Sequence, residues 1–340
     1  MICKKTTARM VSTIFTLAVF SSFGLAESVI KNIPQTEANG FDVDPITRLV
    51  YVANSSAGLV AVISEKTNTQ VATIHVGTIP VGVAVNPITS RLYVSDILEN
   101  VVHVIDLHNN SIITSIPMPP QPSQLGIDIR LNRVYVANFL SGSDVTVIDG
   151  RNDTVMATIP VPLPGDFAMN PFQHRIYISN VNFFGGITVV DTERNQIVGQ
   201  IATAGQFTTG IALDFKRNLV YAADDTGTLN VINARSNKLV AVLSLGTELA
   251  GVSVDPFTDR IYVDLPQLNQ VAIINGKTRR QVGTLPTGFR PAGSAIDLAR
   301  RRLFVGSQDS LTVINVGPAD HRRGADGDGD GEGSGDEIPD

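Results

Sequence analysis

Val134-Tyr135-Val136-Ala137-Asn138 is the stretch that decides the fold, because its tyrosine belongs to a grid. All six tyrosines stand on that grid, at Tyr51, Tyr93, Tyr135, Tyr177, Tyr221 and Tyr262, and Phe304 supplies a seventh point. Successive steps are 42, 42, 42, 44, 41 and 42 residues. A period in the low forties is the length of a propeller blade, four short strands with their turns. The expected architecture is therefore all-β, a seven-bladed propeller of four-stranded blades.

Each unit reads the same way outward from its anchor. In the second, Val81 to Val85 is an inner strand and Asn86-Pro87 opens a turn. Arg91 to Val94 alternates as the second strand, Val101 to Ile105 is the third, and Ser111 to Pro117 is the outer strand after a hairpin at His108-Asn109-Asn110. Short alternating runs punctuated by Asn, Asp, Pro and Gly are the half-buried strand signal. Seven residues before each anchor stands Asp44, Asn86, Asp128, Asn170, Asp214, Asp255 or Asp297. Such side chains bond the backbone two residues on and start turns, and their presence in every unit reads as a requirement of the fold rather than a ring of metal ligands.

The seventh unit lacks an outer strand, since the chain turns hydrophilic after Val316. At the other end, Ser28-Val29-Ile30-Lys31-Asn32-Ile33-Pro34 reads like Ser111-Ile112-Ile113-Thr114-Ser115-Ile116-Pro117. This N-terminal segment is expected to complete the seventh blade and close the ring, which covers the sheet edges. Residues 1–26 read as a signal peptide: Lys4, Lys5 and Arg9, an apolar stretch from Val11 to Leu25, and a small-x-small site at Gly24-Leu25-Ala26. The division is then signal at 1–26, propeller at 27–316 and an acidic Gly/Asp-rich tail at 317–340. The chain is expected to be exported (periplasmic, secreted or at the cell surface), with no transmembrane segment once the signal is removed.

Composition closes off several chemistries. The one cysteine, Cys3, falls in the signal, so the propeller has no disulfide, cysteine nucleophile or thiolate metal site. Histidines are few and scattered, which argues against a haem or metal centre built from several of them, and no Gly-x-Ser-x-Gly elbow or phosphate loop occurs. The whole chain carries a net charge of −6, and the propeller body is near neutral, so it offers no broad footprint for nucleic acid. There is no tryptophan, which fits neither WD-type nor quinoprotein blades.

Val50-Tyr51-Val52-Ala53-Asn54, Val134-Tyr135-Val136-Ala137-Asn138 and Ile176-Tyr177-Ile178-Ser179-Asn180 resemble the YVTN repeats of surface-layer-type seven-bladed propellers. Val147-Ile148-Asp149 through Asn152 to Pro160 is similar to that family's outer hairpin. The resemblance spans residues 28 to about 316. It implies an exported or surface-attached propeller. The wider superfamily adds lactonase-like hydrolases, a lyase, haem and amine-dehydrogenase subunits and periplasmic nucleic-acid binders as alternatives.

Comparing units with one another points to a site. Eleven residues before the anchors stand Gly40, Gly82, Gln124, Asp166, Gly210, Gly251 and Gly293, so units three and four depart from glycine. The same two units carry an extra residue in their second-to-third loops, which include Phe139, Phe183 and Phe184, and the connection into unit five contains Phe207. Gln124, Phe139, Asp166, Phe183, Phe184 and Phe207 are expected to share one sector beside the channel mouth as a ligand pocket. Packing between blades is the competing reading of those aromatics. Arg290, in the last connection, could offer a cation to an anionic ligand. Function is then expected to be non-enzymatic binding of a small molecule or surface partner on the top face, with hydrolase or lyase activity centred on Asp166, and nucleic-acid binding, as alternatives. No cofactor is expected in the propeller. In the tail, Asp326, Asp328, Asp330 and Glu337 match calcium-loop spacing, although Gly333 sits at the usually apolar eighth position; weak calcium binding there is set against a plain acidic tail.

Overall fold

The computed structural model describes residues 27–35, 37–140 and 144–317. The segment expected to be a signal peptide (1–26) and the proposed calcium loop (Asp326, Asp328, Asp330, Glu337) lie outside the described residues. Twenty-eight strands form seven antiparallel four-stranded sheets, and no helix occurs among the described residues. The first blade runs from the axis outward through Ala38–Asp44, Leu49–Asn54, Leu59–Ser64 and Thr69–His75. Five more follow in the same order. The seventh comprises Gly293–Asp297, Arg302–Gly306 and Ser310–Asn315, with Ser28–Pro34 as its outer strand.

The closing strand behaves as an outer strand in detail. In blades one to six the pairing of third and outer strands shifts by one residue, between Val104 and Ile105 in the second, which leaves Ile113 bulged. Ser28–Pro34 pairs antiparallel with the third strand of the seventh blade and shifts at the same point, between Val29 and Lys31. The bulged residue is Ile30, the counterpart of Ile113 in the sequence alignment above. A bulge sharpens local twist, so a strand lacking it would splay from its neighbours.

The core lies between blades rather than within them. Seven apolar clusters each combine two neighbours, as where Tyr51, Val60 and Val62 meet Val83, Val85 and Leu92. The seven anchors are the largest fully buried side chains. A buried phenol needs a partner for its hydroxyl, and three anchors find one in the next blade. Tyr93 donates to Asp153 Oδ1 at 3.2 Å, Tyr135 to Asn195 Oδ1 at 3.2 Å and Tyr177 to the Ala234 carbonyl at 2.7 Å.

At the bottom of the ring the turn residues do what their chemistry dictates. Asp44 Oδ1 accepts from Ile46 N at 2.8 Å, Asp214 Oδ1 from Lys216 N at 3.0 Å and Asp297 Oδ1 from Ala299 N at 2.8 Å; units two, three and six have matching bonds, and in unit four Asn170 Oδ1 accepts one residue further on, from Gln173 N at 3.2 Å. Three residues before each anchor the backbone turns left-handed, at Arg48, Ser90, Asn132, His174, Asn218, Asp259 and Arg301. These turns are also tied sideways. Asn86 Nδ2 donates to Asn132 Oδ1 at 2.8 Å, Gln173 Nε2 to Asn218 Oδ1 at 2.8 Å, and Arg301 pairs with Asp255.

Candidate functional site

The top of the channel is narrow because glycines line its rim. A Cβ on Gly40, Gly82 or Gly210 would run into the carbonyl of Val81, Ser123 or Ala250 in the next blade. Glycine is thus needed where two backbones meet this closely. Blades three and four break the rule with Gln124 and Asp166, and both side chains face a cavity of about 340 Å³ at the mouth. Phe139, Ser123, Thr209 and Ser294 also line it, and Asp166 is the one ionisable residue among the lining side chains.

Asp166 is held by backbone on both sides. Its Oδ1 accepts from Phe167 N at 2.8 Å and its Oδ2 from Ile211 N, in the fifth blade, at 3.2 Å. Burial pushes its carboxyl up to about 6, and the two N–H donors offset that only in part. Asp42 repeats the device one step lower in the first blade, accepting from Val43 N at 2.8 Å and from Val85 N of the second blade at 2.9 Å, and is likewise pushed up to about 6 by burial. Each carboxylate latches its own inner strand to the next. Asp166 therefore combines a structural task with a position in the cavity wall.

The expected aromatics form their own cluster beside the mouth. The Phe183 ring stands edge-on to Phe184 and to Phe207, with centroids 6.1 and 6.2 Å apart. Asn182 organises them: its carbonyl accepts from Gly185 N and Phe207 N, and its Oδ1 accepts from Phe184 N, all at 2.9 Å. That turn lifts the rings outward, so Phe184 is 86% exposed and Phe183 62%. The neighbouring residues Val181 and Thr209 reach the cavity wall; the three rings do not. Arg290 stands apart, in an ion pair with Glu248 at 3.8 Å, while Ala292 to Ser294 just beyond it line the cavity. The structure thus brings together Gln124, Phe139 and Asp166, places the phenylalanine trio alongside them, and separates Arg290.

Two features escaped the sequence reading. Two residues past the anchors stand Ala53, Ser95, Ala137, Ser179, Ala223, Asp264 and Gly306. Ser95 Oγ accepts from Gly82 N at 2.8 Å and donates to Ser123 O at 2.6 Å; Ser179 does the same with Asp166 N and Thr209 O at 2.8 and 3.1 Å. Asp264 puts a fully buried carboxyl there, with neither oxygen hydrogen-bonded. Burial holds it well above the usual carboxylate range, against the opposing effect of the nearby Gly251 N–H. Lining up the seven units at that position would have exposed it. The second feature is on the opposite face, where Phe172, Phe215 and Phe257 run in file across blades four to six, with centroids 6.2 and 6.0 Å apart and Lys216 Nζ over the Phe257 ring.

No family model matches the chain, and no curated protein matches it. Among solved structures it is similar to Kuenenia stuttgartiensis hydrazine synthase, with a TM-score of 0.75 at 15% identity over 88% of this chain and 99% of that one. At that identity the likeness is one of fold, a seven-bladed propeller. Among the described residues no helix is long and apolar enough to cross a membrane.

Proposed function

We propose that this chain is an exported YVTN-type propeller that acts as a binding scaffold, taking a small ligand or a partner's side chain into the top mouth of its channel without turning it over. The observation that carries the reading is the cavity itself, lined by six of the seven blades and given its amide and its carboxylate by the two where the rim glycine is replaced. Its lining offers hydroxyls, one amide and one carboxylate, and that carboxylate has no acid or base beside it in the wall. A site without a mutually bonded acid–base pair suits recognition better than proton transfer. A single negative charge in a mouth of backbone and small side chains favours a ligand with a cationic group, and the exposed Phe183–Phe184 edge, outside the cavity wall, offers an apolar flank to a ligand that extends past the mouth.

Native mass spectrometry of the chain, exported from a bacterial host, tests this. A co-purifying small-molecule mass, lost in Asp166→Gly, Phe183→Ala double variants that still melt cooperatively, is the expected result. A bare chain mass, with no loss on substitution, would count against a small ligand at this mouth.

A second reading rests on Asp166 alone. A carboxyl pushed up to about 6 is poised as a general base near neutrality, as a lactonase-like hydrolase or lyase would require. Turnover of a lactone panel, rising through pH 6 and abolished in Asp166→Asn, would favour that alternative.

A further inference from the structure

We propose that the top of the second blade binds one divalent transition-metal ion through Asp96, Glu99 and His103. One ligand atom from each lies within 4.8 Å of the others. The group is separate from the channel mouth and contributes no residue to that cavity.

The imidazole carries the argument. His103 is only 5% exposed, and its Nε2 is buried without a hydrogen-bond partner. A polar atom in that state costs stability unless something satisfies it. Its other nitrogen, Nδ1, lies 2.9 Å from Ser115 Oγ. With the proton on Nδ1 and donated to Ser115, Nε2 presents a lone pair toward the carboxylates, 3.8 Å from Glu99 Oε2. A ligating histidine typically has its second nitrogen bonded in this way.

Comparison of blades shows that the fold does not ask for this chemistry. The third-strand residue at this point bonds directly to the residue three past the anchor in blades three, four and five. Asn138 Nδ2 donates to Thr146 Oγ1 at 2.8 Å, Thr188 Oγ1 to Asn180 Oδ1 at 3.1 Å, and Asn230 Nδ2 to Asp224 Oδ2 at 3.2 Å. In blade two the same pair is Asp96 and His103, and the bond is not made. Glu99 has been added in the loop between them.

The surroundings fit a cation. Asp96 is fixed by four backbone donors, Leu98 N and Glu99 N on Oδ1 at 2.9 Å each, and Thr78 N and Ile79 N on Oδ2 at 2.6 and 2.9 Å. Those bonds make it chiefly the charge of the site, with His103 and Glu99 as the stronger donors. Glu99 Oε1 accepts from Thr78 Oγ1 at 2.8 Å, and its side chain is 40% exposed, so one side of the group faces water. Gly77 closes the other side: a Cβ there would run into Asp96 Oδ2 and come within 3.0 Å of His103 Nε2. Two carboxylates neutralise a divalent ion, and one nitrogen with two oxygens suits zinc with a water as fourth ligand.

Zinc alone is the probe. The full chain, stripped by chelator, is titrated with zinc sulfate by calorimetry at neutral pH, and the metal retained after dialysis is measured. Wild type should take up one equivalent that His103→Asn, the residue blade five uses, no longer binds. Glu99→Gln should weaken that equivalent by at least ~10-fold, the lower end of the loss seen even for outer-shell partners of a metal. Metal held by the tail carboxylates would persist in both variants. Zinc uptake unchanged in a folded His103→Asn protein, or no retained zinc in wild type, overturns the proposal. If His103→Asn fails to fold, the exposed Glu99→Gln decides alone, and unchanged affinity there overturns it equally.

Discussion

The bottom turns and the channel mouth are built from the same seven repeats, yet they follow different rules. At the bottom every blade uses an Asx side chain to start the turn and a left-handed residue to finish it. At the mouth the glycine rule is broken by Gln124 and Asp166 and the small-residue position two past the anchors by Asp264; elsewhere on the same top face, His103 breaks the polar pair of blade two. A turn has to reverse a backbone in a fixed number of residues, so each blade repeats the same solution. The mouth only has to fit its immediate neighbours, so each blade can differ. Departures at the bottom should therefore destabilise, whereas departures at the mouth are free to serve binding.

The largest effect is expected from breaking the bottom belt. Asp255 is fully buried, pairs with Arg301, and accepts from Thr258 Oγ1 at 2.5 Å and Phe257 N at 2.9 Å. Burial alone would raise its pKa, but these partners outweigh it and hold the carboxyl below the usual range. Asp255→Ala leaves a mostly buried guanidinium uncompensated and should cost about 3–5 kcal/mol, the range for removing one partner of a buried pair. Urea denaturation measures it. A loss below ~1 kcal/mol, the usual worth of an exposed pair, would show that the belt is ornamental.

The mouth predicts the opposite sign. Asp264→Ser replaces an unbonded buried carboxyl with the side chain that Ser95 and Ser179 use at the same point. Stability should rise by about 1–3 kcal/mol, the desolvation cost of an unsatisfied buried group. The pH dependence sharpens this. A carboxyl held above its unfolded value binds its proton more tightly when folded, so its contribution is complete in acid and is lost as pH rises. Asp264, and Asp42 and Asp166 at about 6, should therefore make the melting temperature climb as pH falls from 7 toward about 4. Asp255 acts the other way, and its stabilisation is lost as pH falls below the usual carboxylate range. The Asp264→Ser variant should show a shallower climb. An unaltered pH profile would mean that Asp264 is ionised in the folded chain.

What could be read beforehand follows the same division. Anchors, Asx turns and the closing strand were legible because each is imposed on every blade, and the bulge at Ile30 appears where its match with Ile113 puts it. Gln124 and Asp166 were legible as departures from glycine. Asp264 is legible in the same way, as the one carboxyl two residues past the anchors, whereas His103 is not, because its setting depends on Gly77 of the blade connection and on Asp96. Seeing it takes the spatial partner as well as the repeat. The outward turn of Phe183 and Phe184 was hidden for a like reason, since it rests on hydrogen bonds to Asn182 that reach across to Phe207 in the blade connection.

The smallest effect tests whether the anchors are uniform. Tyr177 and Tyr262 are both fully buried in their apolar clusters. Tyr177 donates to the Ala234 carbonyl of the next blade at 2.7 Å, whereas the Tyr262 hydroxyl has no hydrogen-bond partner. Removing a made bond strands the Ala234 carbonyl, so Tyr177→Phe should cost about 1 kcal/mol. Tyr262→Phe removes only an unsatisfied oxygen and should be neutral or slightly stabilising. The seventh anchor, Phe304, already dispenses with the hydroxyl at 1% exposure, so the ring rather than the phenol is what the fold requires. Equal losses for the two variants, measured by thermal melts at one pH, would show that Tyr262 finds a partner in solution. A loss for Tyr177→Phe alone would make the hydroxyl a blade-by-blade addition to a common aromatic core.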